Sequence, residues 1–374
     1  MMIHKKVNWI ELFYDLIYVA AIATATHTLL HVENHTIPLE YLFKFVLIFI
    51  PIWWAWVGQT LFVNRFGEDN TKDRLWISIQ MVFVILMTAS LSVDFDANYL
   101  PFLFGYLGIR LVVAIQYLQI IRREDGERKT VARFLGYGFL IGAFISLGSL
   151  LFDSWIRYFI LYLGIAVDIL IPLWGRRHIK KVPINTPHLV ERFGLLTIIL
   201  FGEMIVSIVK VFGAERQFNL SFIALILTFT LVIAMWWQYF DNIETKIDKE
   251  SRTSGQVIIY GHLFIYMSMS IIASVIQMGF LYDVEKILFV SLAFGSAFIY
   301  VLGTSLVFHK YRHKQHRLVL KHFLLFTGLI ASLWMGSLIL AVNEMVVFIE
   351  LAIFFIFYAY MTVGHDPSIQ ELKS

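Results

Sequence analysis

The sequence predicts an all-α, polytopic transmembrane helix bundle. Three observations carry that prediction. Of 374 residues, 59% are hydrophobic and only 15% charged; the mean hydropathy is +0.74; and apolar stretches of about 20 residues, long enough to cross a bilayer, recur along the whole chain. One or two such stretches would be anchors, whereas a chain made almost wholly of them is a bundle with connections too short for a soluble domain. There is no cysteine, which excludes disulfides, thiolate metal sites and cysteine nucleophiles. The net charge of +3 carries no nucleic-acid signal, because the basic residues flank the apolar segments. No cleavable signal peptide is expected, since the first apolar segment is long and carries acids.

Twelve spans are expected. Residues 9–29 form the first, opened by Trp9 and carrying Glu11 and Asp15. The second, 40–63, ends on the Trp53-Trp54-x-Trp56 cluster, and the third, 75–94, carries Gln80. The fourth, 100–121, holds Arg110 and Gln116 in mid-span; the fifth is 132–152; the sixth, 155–174, holds Asp168. After a basic, Pro-containing connector, the seventh, 189–211, begins at Glu191 and Arg192 and continues to Glu203. The eighth, 219–240, ends on Trp236-Trp237, with Asp241 just beyond. The ninth, 256–279, holds His262 and Gln277, and 286–308, 319–341 and 344–363 complete the set, the last with Glu350.

Loop charge tests that count. The loops after the even-numbered spans and the two termini together hold 23 Lys and Arg residues, and the opposite side holds four: Arg157, Lys210, Arg216 and Lys286. By the positive-inside rule both termini are cytoplasmic, and the protein is expected in the cell membrane. The halves also echo one another. Trp9–Phe13 matches Leu189–Phe193, Trp53-Trp54 matches Trp236-Trp237, Gln80 matches His262, Gly105 matches Gly295, and Asp168 matches Glu350, all in the same order. Six helices per unit is an even number, so the expectation is two parallel six-helix repeats, residues 1–181 and 182–374, with a site where repeats meet.

Trp9-Ile10-Glu11-Leu12-Phe13-Tyr14-Asp15-Leu16, Asn64-Arg65-Phe66, the run from His188 through Gly194 to Gly202-Glu203, and Trp236-Trp237-x-Tyr239-Phe240-Asp241 resemble the bacterial low temperature requirement A family over nearly the whole chain. The resemblance implies a multi-pass membrane protein and assigns neither substrate nor catalytic residues. Phe13-Tyr14-Asp15 is also similar in place to the Phe-Ser-Asp motif of potassium channels built from six-helix repeats, differing at the serine.

An ionisable side chain at membrane depth is costly and reads by default as functional. Glu11 and Asp15 share a helix face one turn apart, as a cation or proton site; the structural alternatives are a helix cap or ion pair for Glu11 and a buried salt bridge for Asp15. Arg110 needs a carboxylate, with Glu11, Asp15 or Asp168 in reach and the first span favoured; its role is read as structural before substrate binding. His188 and Glu191, three apart, resemble half a metal site, but only one copy of the spacing exists, so no metal is expected. Arg192, adjacent to Glu191, is expected to point elsewhere, toward Asp241 or a lipid phosphate. Glu203 is the deeper acid of that helix, about 18 Å beyond Glu191 at 1.5 Å per residue. His262 is a possible proton relay. Trp53, Trp54, Trp236 and Trp237 read as an interfacial aromatic belt or, with Asp241, as a stacking wall. His309, His313, His316 and His322 lie in a basic loop. With no Walker loop, dinucleotide glycine motif or HExxH, no cofactor is expected. The expected partners are the lipid bilayer and a cation, proton or small solute, with no nucleic acid. The alternatives are a membrane-embedded enzyme acting on a lipid or isoprenoid, and a non-catalytic membrane component.

Overall fold

A computed structural model of the chain describes residues 5–214, 218–248, 253–312 and 320–363. Arg216, Lys249, Arg252, Lys314, Arg317, Lys373, His313 and His316 lie outside the described residues. Within them the chain is helical, with two isolated β-bridges and no strand. The elements are α1 (Trp9–His27), α2 (Leu39–Phe66), α3 (Thr71–Ala89), α4 (Tyr99–Arg123), α5 (Gly126–Gly148), α6 (Ser154–Trp174), the short α7 (Arg176–Ile179), α8 (Thr186–Ala214), α9 (Phe218–Asp241), α10 (Gln256–Leu281), α11 (Lys286–Tyr311), α12 (Leu320–Ile339) and α13 (Glu344–Val363).

Eleven of these helices, among the described residues, are long and apolar enough to cross a membrane. The chain is therefore an all-α polytopic helix bundle, as its composition predicts. The third expected span is the exception. Its helix starts earlier than the apolar run suggests, because Asn70 caps it by accepting the Asp73 N–H at 2.8 Å, and it stops five residues sooner, at Ala89. Lys72, Asp73 and Arg74 then fall inside the first turn, and the apolar remainder is short.

Contacts divide the chain into two compact units. Unit one comprises Met1–Ala25, Leu47–Leu195 and Glu250–Ile259; unit two comprises Thr26–Val46, Leu196–Lys249 and Tyr260–Ser374. In unit one, α4 packs on α3 and α5, and α5 on α6. In unit two, α9 packs on α13, and α11 on α12 and α13.

Helix ends in unit one are closed by polar side chains, as a lipid environment requires. The Lys5 ammonium donates to the carbonyls of Val63 and, at 2.6 Å, Gly67, which satisfies the last turn of α2. Burial pulls the Lys5 pKa below the usual lysine value, and the Glu11 carboxylate works against that shift. Arg65 donates to the Val182 and Ser254 carbonyls, both at 3.3 Å. Gln256 donates to the Pro172 carbonyl at 2.5 Å, an acceptor near the end of α6.

The α5–α6 contact is built on small residues, the usual device for close approach of helices in lipid. Gly142 lies against the Asp168 carboxylate and Gly164 against Ser146. A Cβ at Gly142 would collide with both the Asp168 carboxylate and the Gly164 carbonyl. Gly142→Ala should therefore cost about 1–3 kcal/mol, the usual penalty of overpacking. The expected result is a lower melting temperature in detergent, with Gly148→Ala, whose Cβ meets nothing within 4 Å, as the neutral control.

Candidate functional site

The site in unit one is assembled by three helix ends. At the start of α1, Glu11 stands three residues after Asn8 and its Oε1 accepts the Asn8 backbone N–H at 3.2 Å, the return bond of a capping box. One turn deeper, Asp15 shares that face. At the start of α8, the Asn185 side chain accepts the His188 N–H at 3.2 Å and so caps the helix. In the last turn of α2, the Asn64 amide locks onto the Asn185 backbone in both directions: Nδ2 donates to the carbonyl and Oδ1 accepts the N–H, each at 2.9 Å.

These ends bring together residues far apart in sequence. The Arg192 guanidinium donates through Nη1 to Glu11 Oε2 and through Nη2 to Asp15 Oδ1 at 2.5 Å, with a longer contact from Nη2 to Thr60 Oγ1 at 3.4 Å. The Trp56 indole N–H donates to the same Asp15 oxygen at 2.6 Å, and Arg192 lies 5.7 Å from the Trp56 ring centroid. His188 Nε2 lies 3.1 Å from Glu11 Oε2, and Nδ1 lies 3.0 Å from the Asn64 amide nitrogen. Glu11, Asp15, His188 and Arg192 are each no more than 1% exposed. Two atoms of the cluster have no hydrogen-bond partner: Asp15 Oδ2 and Arg192 Nε.

A second ionic pair lies in the same unit. Arg110 on α4 donates through Nε to Asp168 Oδ2 on α6 at 2.7 Å, both side chains fully buried. The expected partner from the first span is corrected: the acids of α1 are taken by Arg192. Arg110 is also held by aromatic faces, with Phe139 at 4.4 Å and Trp54 at 5.7 Å. A buried polar chain joins α1, α2 and α3: Tyr14 and Tyr18 hydroxyls at 3.1 Å, Tyr14 to Gln80 at 3.0 Å, and Gln80 to Gln59 at 2.9 Å.

The other candidates are dispersed. Glu191 is exposed and takes no part in the cluster. The pairing of His188 with Glu191 is thus replaced by His188 with Glu11. The expectation that Arg192 points toward Asp241 or lipid is likewise corrected. One residue along a helix is a rotation of about 100°, so when Glu191 faces outward its neighbour faces in. Glu203 is buried in unit two, and its Oε1 has no hydrogen-bond partner. His262 is buried there too and shares a 2.7 Å hydrogen bond with the Tyr239 hydroxyl. Trp53 and Trp54 are buried at 3% and 0% exposure, so an interfacial belt does not describe them; Trp236 and Trp237 are exposed, at 42% and 57%. Trp237 donates to Asp241 at 2.5 Å, one turn along α9. Among the described residues, no group of three or more His, Asp or Glu side chains is arranged to hold a metal ion.

The profile of the bacterial low temperature requirement A protein family matches residues 6–363. The chain belongs to that family. It is also similar to an uncharacterized protein of Rhizobium meliloti (strain 1021), 27% identical over 279 residues that cover 72% of this chain and 67% of that protein. In this low temperature requirement A protein, the Trp-Ile-Glu-Leu-Phe-Tyr-Asp-Leu, Asn-Arg-Phe and His-Leu-Val-Glu-Arg-Phe motifs are the three strands of sequence that build the cluster: Glu11 and Asp15, Asn64, and His188 with Arg192. Asn64, Asn185, Trp56 and Thr60 carry the geometry without having been marked as site residues by the sequence. The available signals were an amide ending an apolar helix and an Asn directly before the helix-starting Thr186-Pro187.

Removing one partner of a buried ion pair leaves the other uncompensated, at a cost of about 3–5 kcal/mol. Arg110→Met should therefore lower the yield of monodisperse, folded protein by size-exclusion chromatography more than Arg110→Lys does. Arg110→Met with Asp168→Leu should recover most of that loss.

Proposed function

We propose that this membrane protein moves a cation, proton or small solute across the bilayer, with the charge exchanged at the Glu11–Asp15–His188–Arg192 cluster. One observation carries this reading: two carboxylates share a single guanidinium. A purely structural ion pair at this depth is neutral, as Arg110 with Asp168 is. An uncompensated negative charge in a buried setting is expensive and suits a site that takes up and gives back a positive one. A lipid-modifying enzyme would need its acids and His188 open to head groups, and here they are closed in.

Under this reading the protein lies in the cell membrane with both termini cytoplasmic, and residues 1–181 and 182–374 act as parallel repeats. Glu203, whose Oε1 has no hydrogen-bond partner, is a second candidate for charge exchange, within unit two. The absence of native cysteine makes the orientation simple to test. In intact cells, a membrane-impermeant thiol reagent should label Lys286→Cys and spare Lys180→Cys; the reverse pattern would invert the topology.

Purified protein in proteoliposomes tests the activity. Proton gradients, Na+ and K+ should be surveyed first with the natural sequence. Asp15→Asn and Glu203→Gln should each reduce the detected flux at least tenfold while the variants remain folded. Unchanged flux in both variants leaves these acids a structural role only, and no flux from the natural sequence under any gradient removes the transport reading.

A further inference from the structure

The charge exchanged at the cluster can be narrowed to one ion, an argument that deepens the proposed function and rests on it. We infer that the ion taken up is a proton carried on Asp15 Oδ2, and not a metal cation.

The first step concerns His188. The orientation of the Asn64 amide is fixed by its two bonds to the Asn185 backbone, one given and one received. The amide therefore presents N–H, not oxygen, to His188 Nδ1 at 3.0 Å. A ring nitrogen facing a donor must accept, so the ring proton sits on Nε2 and is donated to Glu11 at 3.1 Å. His188 is held as a neutral imidazole with both nitrogens occupied.

The second step is a count of charge. Glu11 and Asp15 contribute two negative charges and Arg192 one positive charge, so with neutral His188 the cluster is one positive charge short. Among the described residues, none of the groups packed around it brings a second cation to the Asp15 carboxylate. From α1, Tyr14 and Tyr18 are neutral hydroxyls bound to each other and to Gln80 of α3. From α2, Trp56 and Thr60 are neutral. Arg110 of α4 is committed to Asp168, and the Lys5 ammonium, which acts on Glu11 from a distance, hydrogen-bonds to the carbonyls ending α2 and leaves Asp15 with Arg192 as its cation.

The third step is a count of oxygen lone pairs. Glu11 Oε1 receives the Asn8 N–H, Glu11 Oε2 receives His188 and Arg192, and Asp15 Oδ1 receives Trp56 and Arg192. Asp15 Oδ2 alone receives nothing. Magnesium and calcium are held by about six or more oxygens, from the protein or from retained water, and one buried oxygen beside a guanidinium offers neither such a shell nor room for a hydrated ion. A proton needs a single lone pair. Protonated on Oδ2, Asp15 still accepts through Oδ1, the cluster becomes neutral, and Arg192 keeps both contacts.

Infrared spectroscopy of the full chain in lipid bilayers tests this. The C=O band of a protonated carboxyl should be present, should disappear as pH rises, and should be missing in Asp15→Asn. At fixed pH, adding Na+, K+ or Mg2+ should leave it unmoved. Trp56→Phe keeps a ring in place and removes one hydrogen bond to the carboxylate form, so the midpoint of the band should move up by about one pH unit; this variant carries the test if Asp15→Asn does not fold. A carboxyl band indifferent to both substitutions, or one displaced by any of the three cations at fixed pH, overturns the inference. Protonation and flux fail separately: the band without any flux removes the transport reading alone, and flux without the band removes this inference alone.

Discussion

Arg192 bridges Glu11 and Asp15 at a depth where neither acid could remain charged alone. Two carboxylates one turn apart on a helix repel, and the surroundings have little capacity to screen them. The guanidinium solves this by geometry: its two amino groups reach two successive turns of α1 at once, which a lysine ammonium, as a point charge, could not match. The same interaction sets the register of α1 against the first turns of α8 within unit one. The remaining polar groups of the site, from the Trp56 indole to the Asn64 amide, are arranged around it.

The two ionic pairs of unit one show how differently the same chemistry can be used. Arg110 and Asp168 balance each other, lie against aromatic rings, and are tucked into the space left by Gly58 and Gly142. Such a pair gives little net stability over an apolar substitute but heavily penalises the loss of one partner, which suits a part that fixes how helices meet. The cluster at Arg192 carries two carboxylates against one guanidinium, although both sites leave a carboxylate oxygen without a hydrogen-bond partner. Its polar neighbours are second-layer amides that hold a ring tautomer and a helix start, and a site that changes its charge needs such fixed surroundings.

Much of this was legible in the sequence because a charge in an apolar run is conspicuous. Glu11, Asp15, Arg110, Asp168 and Glu203 stand out one by one, and the helical fold follows from the apolar segments around them. Their partners are another matter. Asp15 and Arg192 are 177 residues apart, and no local pattern encodes that meeting. The choice between Glu191 and Arg192 turned on helix rotation alone, since both are charged and adjacent, and the sequence reading favoured the one that faces outward. Trp53, Trp54 and Trp56 sit near the middle of α2 and not at its end, where aromatic residues commonly mark an interface; their burial follows from packing within unit one, which composition does not report. Asn64 and Asn185 look like ordinary helix-end residues until their backbone-to-amide exchange is seen.

The buried charges of unit one also give the protein a thermal signature. Hydration of charged groups becomes more favourable on cooling, so the free-energy cost of keeping them dry is greatest at low temperature. Glu11, Asp15, Arg110, Asp168 and Arg192 are all withheld from water here. Cold therefore favours water entry into this interior, where warmth favours a dry seal.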